Sequence, residues 1–250
     1  MRLGAMNNPF RSVCEEIERI AVAGFDFVDL TLEPPGAWPV EADALRARLG
    51  RHGLDVVGHT AFFLPIASPY PELQNTAHAL FAAACDVFSA VGAELVNVHP
   101  DPITRSYPRD HAVAANAEAV ERLADVADER RLRLMVENLG LSFGTVEELS
   151  PLLEADPRTA FHYDAGHANL SGRPVVELLT AFGDRLAHVH VSDNLGVDDL
   201  HLPLGAGSVP WPEVVAALRD AGYDGTVTVE VFAQSYQASS AALWREWWDG

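Results

Sequence analysis

Short apolar runs rich in β-branched residues recur along the 250-residue chain, and a longer stretch of helical periodicity follows each of them. The runs predict strands over 2–6, 27–32, 55–59, 95–99, 132–137, 159–164, 186–191 and 226–231. The stretches between predict helices over 11–23, 40–52, 71–91, 110–130, 145–155, 174–183, 212–221 and 238–248. Gly24, Gly53, Gly92 and Gly222 fall where helices should end, and Pro71, Pro151, Pro174 and Pro212 fall in or near first turns. Strict alternation of this kind predicts an α/β fold with a parallel sheet. Eight units at this length suit a closed (β/α)8 TIM barrel, a single domain over 1–250. An open dinucleotide-binding sheet would want G-x-G-x-x-G after the first strand, which Gly4, Ala5 and Met6 do not supply.

In such a barrel the working face lies at the C-terminal strand ends. From the second strand to the eighth, those ends carry Glu33, His59, His99, Glu137, Asp164, His190 and Glu230. Side chains alternate along a strand, so the residues two earlier share the inward face: Thr31, Val57, Asn97, Met135, His162, His188 and Thr228. The residues between them are mostly apolar, as a face under helices requires. A ring of carboxylates is costly without a compensating cation, and a mixed carboxylate and imidazole set suits Zn²⁺, Mn²⁺ or Fe²⁺ better than Mg²⁺. His167 just past strand six, with Asp199 and His201 after strand seven, forms either a further metal site or a hydrogen-bonded tie between two loops.

Composition narrows the chemistry. The 17 cations are all arginine against 36 acids, leaving a formal charge of -19. Without a lysine amine, class I aldolase, pyridoxal-phosphate and P-loop chemistry are excluded. The acid excess also argues against a basic nucleic-acid footprint. Cys14 and Cys85 are too few for a disulfide framework, and the apolar runs are too short to span a membrane, so a cytoplasmic protein without membrane partners is expected. Arg105, Arg109 and Arg173 fall in loops on the working face, where a guanidinium could bind a substrate phosphate or carboxylate. Glu33 could take a substrate hydroxyl, and Trp38, Phe62 and Phe63 would wall a small pocket. Trp244, Trp247 and Trp248 form a helical stripe that either closes the barrel or meets a second subunit in a homo-oligomer.

The segments MVENLG (135–140), HYDAGHANL (162–170), HVHVSDN (188–194), DLHLPLGAGSVPW (199–211) and TVEVF (228–232) resemble the xylose-isomerase-like barrel superfamily. That superfamily joins sugar and sugar-phosphate isomerases and epimerases to the endonuclease-IV-type apurinic endonucleases. The resemblance to the epimerase branch implies one divalent metal held by Glu137, Asp164, His190 and Glu230, with Glu137 and Glu230 exchanging a substrate proton through an enediolate. The resemblance to the endonuclease branch implies up to three zincs: His59, His99 and Glu137 for one, the same four residues for a second, and His167, Asp199 and His201 for a third. That branch's serine-lysine insertion between the strand-seven histidine and the D-x-H pair is missing, since His190 and Asp199 stand close together. The expectation is therefore a metal-dependent isomerase or epimerase with a small carbohydrate substrate. A trinuclear phosphodiesterase, an inosose-type dehydratase and a non-catalytic sugar-binding barrel are its rivals.

Overall fold

The computed structural model describes residues 1–103 and 107–250, so Arg105 lies outside the described residues. Eight parallel strands follow one another: β1 (Arg2–Met6), β2 (Phe27–Leu32), β3 (Asp55–Thr60), β4 (Leu95–Val98), β5 (Arg133–Glu137), β6 (Ala160–Asp164), β7 (Leu186–Val191) and β8 (Thr226–Val229). Each pairs with the next, and β1 pairs with β8, which closes the barrel. Outside lie α1 (Val13–Val22), α2 (Ala42–His52), α3 (Pro71–Val91), α4 (Arg109–Asp128), α5 (Val146–Glu154), α6 (Ala165–Leu170), α7 (Glu177–Phe182), α8 (Trp211–Asp220) and α9 (Gln237–Asp249). The TIM barrel expectation holds, with strand ends within two residues of those read from the pattern. None of the helices among the described residues is long and apolar enough to cross a membrane.

The predicted glycine stops are real. Gly24, Gly53, Gly92 and Gly222 all have positive φ, the left-handed conformation that glycine adopts without a Cβ clash. Pro151 departs from expectation, sitting inside α5 and not in its first turn. The helix begins where the pattern put it, with Thr145 as the cap whose hydroxyl accepts from the Glu148 N–H, so Pro151 falls past the first turn and leaves the Glu147 carbonyl without its helical donor. The short α6 is not legible as a helix in the sequence pattern. It begins on Asp164, whose carboxylate accepts from the His167 N–H at 2.5 Å.

Strand parity sorts the interior into layers. Phe27, Val57, Met135 and Ala160 form an apolar plug in the lower barrel. Above it the inward side chains turn polar, with Asp29, Asn97, His162, His188 and Thr228 all buried. The opposite parity, including Val28, Leu30, Val96, Val136, Tyr163, Val189 and Val227, packs under the helices in the main apolar cluster. On β3 that face needs Gly58. A Cβ there would stand 2.8 Å from the Phe88 ring of α3 and 3.0 Å from the Leu95 carbonyl. The tryptophan stripe is spent inside the chain. Trp244 is fully buried edge-on to Trp211 at 5.9 Å, and Trp247 stacks on Trp211 at 5.6 Å, sealing α9 against α8.

Asparagines continue the ladders at the mouth. The Asn7 side chain accepts from the Thr31 N–H and donates to the Thr31 carbonyl, and Asn138 does the same to Asp164. The Asn97 amide oxygen accepts from the Thr60 N–H at 2.7 Å. Beside β7, the buried Asp193 carboxylate gathers the loop that leads to α8. It accepts from the N–H groups of Asn194, Gly205 and Val209 and from the Trp211 indole, all between 2.9 and 3.1 Å. Asp193→Ala leaves these donors unpaired, which costs about 1–3 kcal/mol for a buried polar group. The expected result is a lowered urea midpoint with little change in the transition's slope; an unchanged midpoint would show that Asp193 does not hold the loop.

Candidate functional site

The strand ends bring most of the expected ring into one cavity of about 630 Å³. Glu33, Phe62, Phe63, His59, His99, Glu137, His167, Asp199, His201 and Glu230 all line it. Asp164 and His190 lie just beneath, 1% and 0% exposed. Three expected contributors are elsewhere. Trp38 packs half-buried against the main core and is not part of the cavity wall, because the loop after β2 turns it towards the helices. Arg109 opens α4, where its Nε pairs with Glu148 and the guanidinium lies 4.0 Å over the Phe143 ring, which holds it outside the cavity lining. Arg173 is exposed on the turn after α6, outside the cavity lining.

Glu137 closes β5 and is almost fully buried. Its Oε2 accepts from the Asn97 amide at 2.8 Å and stands 3.0 Å from His99 Nε2 and 3.2 Å from His162 Nδ1. Burial pushes its pKa up, but the surrounding imidazoles outweigh that and hold it well below the usual carboxylate range. Glu230, one residue past β8, behaves alike: burial is overcome by His201 and His190, leaving it at about 2. Asp164 goes the other way. Burial pushes it up to about 7, the charges of Glu230 and Glu137 adding to the effect against the opposing His167. Its Oδ2 has no hydrogen-bond partner among the described residues and lies 3.8 Å from His190 Nδ1.

His190 is held at both nitrogens. Nδ1 faces Glu230 Oε2 at 2.9 Å, while Nε2 meets Asp29 Oδ2 at 2.6 Å. A reading of strand ends alone misses Asp29, although it shares the inward parity of Thr31 and Glu33 on β2. The same Asp29 oxygen is 3.1 Å from His188 Nε2 and accepts from the Thr228 hydroxyl at 2.8 Å. Burial opposes ionisation of Asp29, yet His190 and His188 hold it well below the ordinary range. A carboxylate that fixes the far nitrogen of an imidazole is the usual support for a metal-binding histidine.

His167, Asp199 and His201 form the second cluster. Asp199 Oδ2 is 3.1 Å from His167 Nε2 and 2.9 Å from His201 Nε2. Against burial, Glu230 and Asp199 raise His201 to about 9. The His59 and His99 rings lie 5.0 Å apart, and the Asn97 amide nitrogen lies 3.4 Å from the Nε2 of each. Donor atoms close enough together to take a metal occur in Glu137, Asp164 and His190, and in His59, His99 and Glu137. The unpartnered Asp164 oxygen between buried carboxylates fits a divalent cation, which would offset both the burial and the neighbouring carboxylates that push its pKa up.

Known proteins place this architecture. Over 91% of the chain and 82% of the relative's length, it is 28% identical to an L-ribulose 3-epimerase of Methylomonas sp. (strain DH-1). An inosose dehydratase of Geobacillus thermodenitrificans is 26% identical over 86% of the chain and 80% of its own length. A crystal structure of a D-tagatose 3-epimerase-like protein superposes with a TM-score of 0.91 at 23% identity, covering 100% of this chain and 97% of that one. The profile of the xylose isomerase-like TIM barrels matches residues 17–247, nearly the whole barrel, and the chain belongs to that family.

Proposed function

We propose that this protein is a divalent-metal-dependent sugar isomerase or epimerase that moves a proton through an enediolate. The observation that carries the reading is the pair Glu137 and Glu230, which reach one cavity from β5 and β8 with Asp164 and His190 buried between them. The epimerase among its relatives supports the same reaction class.

Glu137, Asp164, His190 and Glu230 would hold the ion, with Zn²⁺, Mn²⁺ and Fe²⁺ all matching this donor set. Bound there, the ion supplies Lewis acidity to the substrate oxygens beside the C–H that ionises. The chain does the rest. Both glutamates lie below the usual carboxylate range, so both are ionised at neutral pH, the state a proton acceptor needs. One takes the proton from one face of the sugar carbon and becomes a carboxylic acid. The other, once it has drawn a proton from solvent, delivers that proton at the opposite face, and the first then gives its own back to water, so the cycle closes with no net change in protons. Asp29 anchors His190 at Nε2, which turns Nδ1 towards Glu230 and Asp164. His201 is pinned at both ring nitrogens, Nδ1 on the Glu230 carbonyl and Nε2 on Asp199, and so fixes the Asp199 carboxylate at the edge of the cavity beside Glu230.

A second reading, a trinuclear phosphodiesterase, rests on the His59, His99 and Glu137 group and on the His167, Asp199 and His201 cluster. Metal content of protein purified without added metal separates the two, at about one ion per chain or about three. Nicking of an abasic duplex would favour the second. The inosose dehydratase among the relatives shares the opening proton abstraction, and loss of water from the product would mark that outcome.

Glu137→Gln and Glu230→Gln should each slow exchange of the substrate C–H proton with deuterated water by about 10²–10⁴-fold. Exchange at the wild-type rate in either variant would remove that glutamate from the proposed pair. Asp29→Asn frees the tautomer of His190 and should weaken metal binding by about 10–100-fold in chelator competition. An unchanged affinity, in a variant whose metal-free form unfolds at the wild-type temperature, would show that Asp29 does not position the ligand.

A further inference from the structure

The cavity has two tiers of different chemistry. Its floor is the carboxylate and imidazole ring, which a sugar's hydroxyl and carbonyl groups would meet. Its mouth is aromatic: Phe10 from the loop after β1, Phe62 and Phe63 from the loop after β3, and Phe232 from the loop after β8 line the same cavity. They stand 78%, 67%, 55% and 63% exposed. Large apolar rings scattered singly on a surface need no explanation, but four rings on three loops lining one cavity give its mouth an apolar character. Their arrangement leaves flat faces free. Phe232 lies parallel on His201 at 3.9 Å with one face covered, and Phe62 and Phe63 meet edge to face at 5.3 Å.

Size and charge point the same way. A volume of about 630 Å³ lies well within the range of about 300–1,000 Å³ that encloses drug-sized ligands, more than a lone monosaccharide fills. Among the described residues no arginine lines the cavity, whereas Glu33 and Asp199 stand on its wall above Glu137 and Glu230. A phosphate dianion in the outer tier would face carboxylates without a guanidinium to receive it.

We propose that the outer tier is a subsite for the second half of a two-part substrate, an unphosphorylated sugar carrying an uncharged, flat-faced substituent such as a further sugar ring. The C–H faces of such a ring would lie on Phe10, Phe62 and Phe232 while the reacting sugar reaches the floor. The proposal rests on the sugar reading given above for the floor.

Calorimetry on the metal-loaded full chain tests it, with a free ketohexose, its terminal phosphate ester and its glucoside as probes. The glucoside should bind at least about tenfold tighter than the free sugar, and the phosphate ester more weakly than either. Phe10→Ala and Phe62→Ala alter exposed side chains, and each should cut the glucoside-to-free-sugar affinity ratio by about tenfold, the equivalent of one good aromatic contact. Equal affinities for glucoside and free sugar, or tightest binding of the phosphate ester, would overturn the subsite. So would a homodimer that Phe62→Ala dissociates, since the rings would then be covered by a second copy. Proton exchange measured on the same panel keeps the two ideas apart. Tight glucoside binding without exchange leaves the subsite standing and removes the proton-transfer reading, whereas exchange confined to the free or phosphorylated sugar does the reverse.

Discussion

Glu137, Asp164, Glu230 and, one layer down, Asp29 occupy the upper barrel with almost no access to water, and each would repel the others if ionised without compensation. Much of the surrounding structure answers that repulsion. His190 stands between Asp29 and Glu230, His99 and His162 lie against Glu137, and His167 and His201 face Asp164 and Glu230 across the loops. Imidazoles alone do not balance the charge. Asp164 still has its pKa pushed up to about 7 by burial and by its acidic neighbours, and one of its oxygens lacks a partner among the described residues. A protein that keeps such a group buried holds a standing attraction for a small cation. The same logic explains the low polar layer. Asp29 meets His188, His190 and Thr228 from β7 and β8, so the orientation of His190 is set before any ligand arrives.

The alternation of apolar runs and helical stretches made the barrel legible because it follows directly from geometry: a strand buried on both faces, then a helix to cover one of them. The ring was legible for a related reason, since each ligand type sits at a strand's last inward position, as with His59, Glu137 and Asp164. Residues that act sideways were harder to see. Asp29 lies in mid-strand, where an acid reads as a surface residue until its parity with Thr31 and Glu33 is followed downward. Asp193 looks like one more loop acid beside Asn194, and nothing local announces that four donors from 194–211 converge on it. Arg109 and Trp38 mislead in the opposite direction. Both stand near the working face in sequence, yet Arg109 is drawn to Glu148 and Phe143, and Trp38 to the core.

Separation of duties also runs along the strands. The apolar plug of Phe27, Val57, Met135 and Ala160 keeps the lower barrel closed, so the polar layer above rests on a dry base. On the outside, the buried Trp244 and its contact with Trp211 tie the last helix to the one before it, close to the Asp193 carboxylate that binds the Trp211 indole. The end of the chain and the loop before α8 therefore share one buried aromatic anchor.

That loop has a buried root and an exposed crown. Its root is held by Asp193 and by the paired backbones of Asp193 and Leu202, while Leu195, Val197 and Leu200 on its crown are 60%, 70% and 43% exposed. Crown and root thus differ in what holds them, buried hydrogen bonds for the root and the Asp199 carboxylate for the crown. Leu195, Val197 and Leu200 project away from the barrel, whereas Asp199 ties the crown to His167 and His201, and His201 is tethered in turn to the Glu230 carbonyl. Changes at these exposed positions would alter what reaches the site through Asp199 alone, leaving the buried Glu137, Asp164 and Glu230 as they are.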